Sequence, residues 1–168
     1  AAQALHARVA LYMQDWDTAI EYASILIDDK KNTFKLADAK TKYNADYTFF
    51  DYMWAYDLSY EIIWRIGFTE TSYGSPLGTV FLNFTKDLTY YYPDYVPATA
   101  ALNLYDAADL RYSGYFAGKE QGLTIGYTNG LDWPMLVKYY GNRNFTSKLI
   151  FHVSMPKPFR LAEQYLIR

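Results

Sequence analysis

Residues 4–27 read ALHARVALYMQDWDTAIEYASILI, and two helical periods run through this stretch with a short polar break between them. Leu5, Val9 and Tyr12 recur at helical spacing. So do Trp16, Ala19 with Ile20, Ala23, and Leu26 with Ile27, and the spacing predicts two amphipathic helices. The connection at Gln14-Asp15 is tight, so the second helix folds back along the first. Asp15 is placed to cap it, because a carboxylate accepts from backbone donors that have no partner in the first turn. Ala7 on one helix and Ala19 on the other supply short side chains where two backbones approach. A hairpin of this kind buries one face only, so further helices are expected beside it.

The rest of the chain is less regular. Asp28 to Asn32 is a polar break, and residues 34–58 hold short helical pieces with Phe49, Met53 and Trp54 facing inward. Glu61 to Phe68 alternates and is rich in β-branched and aromatic residues, which predicts a short strand. Residues 69–99 carry Gly74, Pro76, Gly78, Pro93 and Pro97 among aromatics, a long loop with one short strand near Val80 to Phe84. Long loops in folded domains are usually functional, and the aromatic content speaks against disorder. A helix is expected from Ala98 to Tyr105, and Asp109 is placed to cap a further turn. Leu136 to Tyr140 reads as another strand. A last helix runs from Pro158, with Leu161, Tyr165 and Leu166 on one side. The fold class is therefore mainly α, helical hairpins with a loop-rich lobe containing short β-strands.

Composition excludes several classes. The chain has 168 residues, a net charge of −2 and no cysteine. Its 16 basic residues are scattered, so nucleic acid is not the partner, since phosphate binding needs a basic excess on one face. Without cysteine there is no disulfide, thiolate nucleophile or Cys-based metal site. No apolar run approaches the roughly 20 residues of a membrane-spanning helix. Against this stands an aromatic load of 19 Tyr, 10 Phe and 4 Trp. A cluster such as Tyr90-Tyr91-Tyr92 with Tyr95 gathers more phenol hydroxyls than a dry core satisfies, so part of it is expected at a wet, ligand-accessible surface. Trp16, Trp54 and Trp64 sit on periodic faces and are assigned to the core.

The opening hairpin resembles a tetratricopeptide repeat, with Gln14 where the repeat has glycine and no proline after the second helix. In order, the hairpin, the strand SYEIIWRI, the loop SYGSPLG, the segment YYYPDYVPATAALNLYDAADLRYSGYF, LVKYYGN and PKPFRLAEQYLIR resemble the middle of the SusD/RagB family. These are surface lipoproteins of the outer membrane of glycan-using Bacteroidetes-type bacteria. The resemblance implies an alpha-alpha superhelix of tetratricopeptide-like hairpins with an irregular lobe packed on it. It also implies that residues 1–168 are a single SusD-like domain fragment of a longer chain: a hairpin (1–32), a mixed lobe (33–157) and the start of a further helix (158–168). Its members look like non-enzymatic binders that hold an oligosaccharide over a SusC-like TonB-dependent transporter. A lipid anchor outside these residues would attach the protein to the cell surface, and no cofactor is implied.

The residues support a binder on their own terms. A pyranose ring packs its C–H face on an aromatic ring, and its hydroxyls need polar partners at the rim; rigid Tyr and Trp give that contact at low entropic cost. The candidate ligand residues are Tyr73, Tyr90, Tyr91, Tyr92, Tyr95 and Trp133, with Asn83 and Asp94 at the rim. The enzyme alternative, a glycoside hydrolase, would need paired carboxylates. Asp106 and Asp109 are better read as a helix start with an Asp109–Arg111 contact. Asp51, Asp57 and Glu61 are the other acids considered. His6 and His152 have no partner in sequence for metal or base chemistry. A peptide-binding scaffold, the second alternative, would use the hairpin around Gln3, His6 and Ala10.

Overall fold

The computed structural model describes residues 1–74, 76–84, 90–106, 108–126 and 132–168. Among them the fold is mainly α: seven α-helices, several of them a single turn, and two two-stranded sheets. Contacts divide the chain into two compact units. The first comprises Ala1–Asp38, Leu58–Gly67 and Met155–Arg168, and the second Ala39–Asp57 and Phe68–Ser154.

The first unit is built on alanine. Helix α1 (Ala2–Tyr12) turns Ala4, Ala7 and Ala10 inward, and helix α2 (Trp16–Ile27) turns in Ala19, Ala23 and Leu26. Side chains this short let the helix axes come close, and each buried methyl still gains contacts across the seam. Asp15 accepts from the Thr18 N–H as the expected cap of α2. The inward stripe of α1 differs from the expected one, because Leu5, Val9 and Tyr12 lie on its exposed side, Tyr12 at 81%. The alanine stripe wins because large side chains there would hold the two helices apart. Trp16 follows the exposed side at 56%, and Trp64 is exposed too, so neither is a core residue.

Helix α7 (Leu161–Ile167) packs on α2 and α1 through Leu161, Gln164 and Ile167, leaving Tyr165 and Leu166 outside rather than within its apolar face. A two-stranded antiparallel sheet feeds it: β1 (Ile62–Trp64) pairs with β4 (Phe159–Arg160). The Arg8 guanidinium braces this joint. It grips both oxygens of Glu163 at 2.5 and 2.7 Å, donates to the Pro158 carbonyl and lies 4.2 Å over the Phe159 ring. At the base of β1 the Glu61 side chain is buried, 3% exposed, and accepts from the Ala37 N–H and from Arg160, both at 2.8 Å. Its own carbonyl accepts from the Leu161 N–H that opens α7.

In the second unit, helix α3 (Phe49–Tyr56) starts at a reciprocal capping box: Thr48 accepts from the Asp51 N–H, and Asp51 accepts from the Thr48 backbone and hydroxyl. Phe50, Met53 and Ala55 point inward. The helix ends at Asp57 in the left-handed region, φ +56°, and buried Asn142 clamps this end by donating to the Tyr56 carbonyl and to Asp57. Asn142 also caps the short helix α6 (Arg143–Thr146). Helix α4 is shorter than expected, Thr99–Leu102, and α5 (Leu110–Tyr115) is capped by Asp109, which also pairs with Arg111 at 2.6 Å. Strands β2 (Phe116–Ala117) and β3 (Met135–Leu136) are antiparallel. The expected strand at Val80 to Phe84 is instead the end of a 3-10 turn, Leu77–Phe81, and the strand expected to reach Tyr140 stops at Leu136, where another 3-10 turn begins. Leu82, Tyr91, Ile125 and Met135 form the core, with Phe84 and Trp133 packed against it.

Candidate functional site

The segment Tyr90 to Pro97 contains four of the expected ligand aromatics, and its backbone is held from two sides. The Tyr92 N–H donates to the Leu82 carbonyl, and the Asp94 and Tyr95 N–H groups to the Val80 carbonyl. On the other side Tyr91 donates to the Thr124 carbonyl and accepts from the Gly126 N–H. At the far end the Trp133 indole N–H donates to the Pro97 carbonyl at 2.9 Å. A strap pinned this way presents its outward side chains with little freedom left to lose on binding.

The expected ligand residues divide on this strap. Tyr91 turns inward, is buried, stacks on Phe84 at 4.7 Å and places its hydroxyl 3.4 Å from that of Tyr140. Burial, then that hydroxyl contact, push its phenol well above the ordinary range. Tyr91 is therefore a core residue and not a sugar-stacking surface. The alternation of an extended segment explains it: neighbours point to opposite sides. Trp133 is half-buried against the same core. The Tyr92 ring lies against the backbone of Gly126, where a Cβ would meet it at 2.4 Å. Tyr90 (42%) and Tyr95 (67%) are open to solvent with Asp94 exposed between them, Asn83 is half-buried beside Leu82, and Tyr73 is exposed on its own loop.

Sequence reading missed a second aromatic group around α3. Tyr43, Tyr52 and Tyr56 stack in a row, with centroids 3.9 and 4.6 Å apart, and Tyr47 meets Tyr52 and Tyr56 edge-on. Tyr52 and Tyr56 are four residues apart on one helix face, a signal present in the sequence. Beside them opens a cavity of about 210 Å³, lined among others by Tyr47, Asp51, Trp54, Ser113, Tyr140 and Arg143. A further cavity of about 300 Å³ shares Ser113 and Ala117 with it.

The acids considered for catalysis have structural partners. Asp51 is in the capping box, Asp57 is bound by Asn142, Glu61 is paired with Arg160, and Asp109 with Arg111. Among the described residues, no group of three His, Asp or Glu could hold a metal, and no helix is long and apolar enough to cross a membrane. On the hairpin, Ala10 is buried, while Gln3 and His6 are exposed and the His6 ring packs on Tyr22 at 3.8 Å.

His152 is buried. It accepts at Nε2 from the Phe84 N–H at 2.8 Å and donates from Nδ1 to the Tyr140 carbonyl at 3.2 Å. Burial lowers its pKa below the ordinary 6.5, against the pull of the Tyr140 and Phe84 carbonyls near its ring nitrogens. Protonation would charge a buried ring and take away the Nε2 lone pair. Because the unfolded chain binds that proton more readily, stability is full above pH 6.5 and falls as the pH drops below it. The urea midpoint is expected to fall as the pH drops from neutral through the ordinary imidazole range, and the His152 ring protons should titrate at a lower pH in the folded protein than in the unfolded chain. With only two histidines in the chain, NMR assigns them directly.

No family model and no curated protein matches the sequence. Among solved structures, surface glycan-binding protein A from Bacteroides uniformis superposes with a TM-score of 0.66 at 17% identity, over 99% of this chain and 35% of that one. The fold is SusD-like. The resemblance drawn above from the hairpin, the EIIW strand and the last helix thus holds at the level of fold. The chain spans about a third of the length of that glycan-binding protein, and within this SusD-like fold both the Tyr90–Pro97 strap and the cavity beside α3 belong to the second unit.

Proposed function

We propose that this SusD-like chain serves in non-catalytic capture of oligosaccharide or polysaccharide at a bacterial cell surface. It passes the glycan to a SusC-like TonB-dependent transporter in the outer membrane, and a lipid anchor keeps it there. The observation that carries the reading is the pair of exposed rings, Tyr90 and Tyr95, on a strap whose backbone is pinned by the chain around it. Open rings on rigid backbone suit the C–H face of a pyranose, and Asp94 and Asn83 would supply acceptors and donors for ring hydroxyls. A fold shared with a protein named for surface glycan binding supports it. The engagement of the candidate acids in structural contacts supports binding without cleavage.

Replacing both Tyr90 and Tyr95 by alanine is expected to weaken retention of a bound polysaccharide in affinity electrophoresis by about thirty-fold, the equivalent of about 2 kcal/mol for two central aromatic contacts. The melting temperature should hardly move, because both rings are solvent-exposed. Unchanged retention would refute the assignment of these rings. Sustained release of reducing ends from the same polysaccharide would refute the non-catalytic reading.

A further inference from the structure

We propose that the cavity beside α3 is a subsite for one acidic sugar unit of the glycan, with Arg143 holding its carboxylate. This rests on the glycan-binding reading above and adds the class of glycan. Three features of the cavity carry it. The Arg143 guanidinium lies 4.1 Å over the Tyr140 ring, and among the described residues it makes no hydrogen bond or ion pair. A half-buried guanidinium seated over an aromatic ring still has its N–H groups to donate, and that fork matches the two oxygens of a planar carboxylate. The walls beside it include the rings of Tyr47 and Trp54, the latter with the Lys138 ammonium 4.4 Å over its face, and Tyr47 suits the C–H face of a sugar.

The third feature is Asp51. Its Oδ2 is taken by Thr48. Its Oδ1 faces Gly114, where a side chain would come within 3.4 Å of it, and it retains acceptor capacity toward the cavity. A simple anion such as phosphate would be drawn by Arg143 and repelled by Asp51. A sugar acid meets both demands, with its carboxylate at Arg143 and a ring hydroxyl donated to Asp51. Ser113, whose hydroxyl hydrogen goes to the Leu110 carbonyl at 3.1 Å, leaves its oxygen to accept a second hydroxyl. At about 210 Å³ the space is below the roughly 300–1,000 Å³ of sites for drug-sized ligands, and suits a single ring. The neighbouring cavity that shares Ser113 and Ala117 offers room for the next unit of the chain.

The test is isothermal titration of the whole chain with oligosaccharides of galacturonate and of glucuronate. Each is paired with the same oligosaccharide after reduction of its carboxylates to primary alcohols. The wild type is expected to bind at least one acid form about ten-fold more tightly than its reduced partner, as one charge-assisted contact would give. Arg143→Gln should abolish the preference, weakening the acid form far more than the reduced form, and Arg143→Lys should restore part of it. A merely structural role for Arg143 would weaken both forms alike. Equal wild-type affinity for acid and reduced forms, or a preference that survives Arg143→Gln, overturns the acidic subsite and leaves the glycan-binding reading standing. Binding of neither form by the wild type, together with no retention of any polysaccharide, overturns both.

Discussion

Glu61→Ala is expected to destabilise the first unit by about 3 kcal/mol or more, read as a lowered urea midpoint at unchanged slope. The carboxylate is buried between the Ala37 N–H and Arg160. Its removal leaves a buried backbone donor without an acceptor and a guanidinium, only about a quarter exposed, without its anion. Losing one partner of such a pair costs far more than the pair itself contributes, because the charge left behind stays partly desolvated. The damage should spread, since Glu61 sits at the joint where β1 meets β4 and where α7 takes its first backbone bond. Glu61→Gln, which keeps an acceptor for Ala37 and loses the charge, should cost less. A loss under about 1 kcal/mol for the alanine variant would mean that Arg160 is satisfied by its other contacts, and that the joint does not depend on this carboxylate.

Gly78→Ala is expected to cost about 3 kcal/mol, at the upper end for overpacking. A Cβ on Gly78 would stand 1.9 Å from the Tyr139 carbonyl oxygen and 3.0 Å from the His152 Cβ. The first of these neighbours is backbone and cannot swing aside as a side-chain tip could. The 3-10 turn that contains Gly78 and the turn at Tyr139 would have to separate, which would strain the bond from the Gly78 N–H to the His152 carbonyl. Gly67, with no atom within 4 Å of where a Cβ would be, is the matched control, and Gly67→Ala should fall within about 0.5 kcal/mol of wild type. Equal melting temperatures for the two alanine variants would contradict this close approach.

Which parts of this were legible in the sequence follows from where the information is local. The Asp15 cap, the Asp109 cap with its Arg111 partner and the hairpin itself are set by residues a few positions apart, and they appear as read, while the strand read over Glu61 to Phe68 forms at Ile62–Trp64 alone. The facing of α1 was not legible, because its pattern permits two stripes. Leu5–Val9–Tyr12 is the more hydrophobic, and Ala4–Ala7–Ala10 is chosen by how near α2 must come. The same holds for α7, where Gln164 is fully buried and Leu166 is not. The aromatic strap shows both outcomes in one segment. Its content of tyrosine marked it as a surface for ligand, yet extended backbone sends Tyr91 into the core between two exposed neighbourhoods. The cavity beside α3 was out of reach, since it joins Tyr47 and Asp51 to Arg143 across some ninety positions, a juxtaposition that only the packing of α3 against α6 supplies.

The account turns on open tyrosine rings meeting sugar. Its most direct test is a crystal structure of the chain with a bound oligosaccharide at a concentration near its dissociation constant. The account predicts pyranose faces seated on Tyr90 and Tyr95, an intact glycosidic chain, and Tyr91 still buried under the strap. Density for the sugar on the α1–α2 hairpin instead, with both rings left bare, would contradict it.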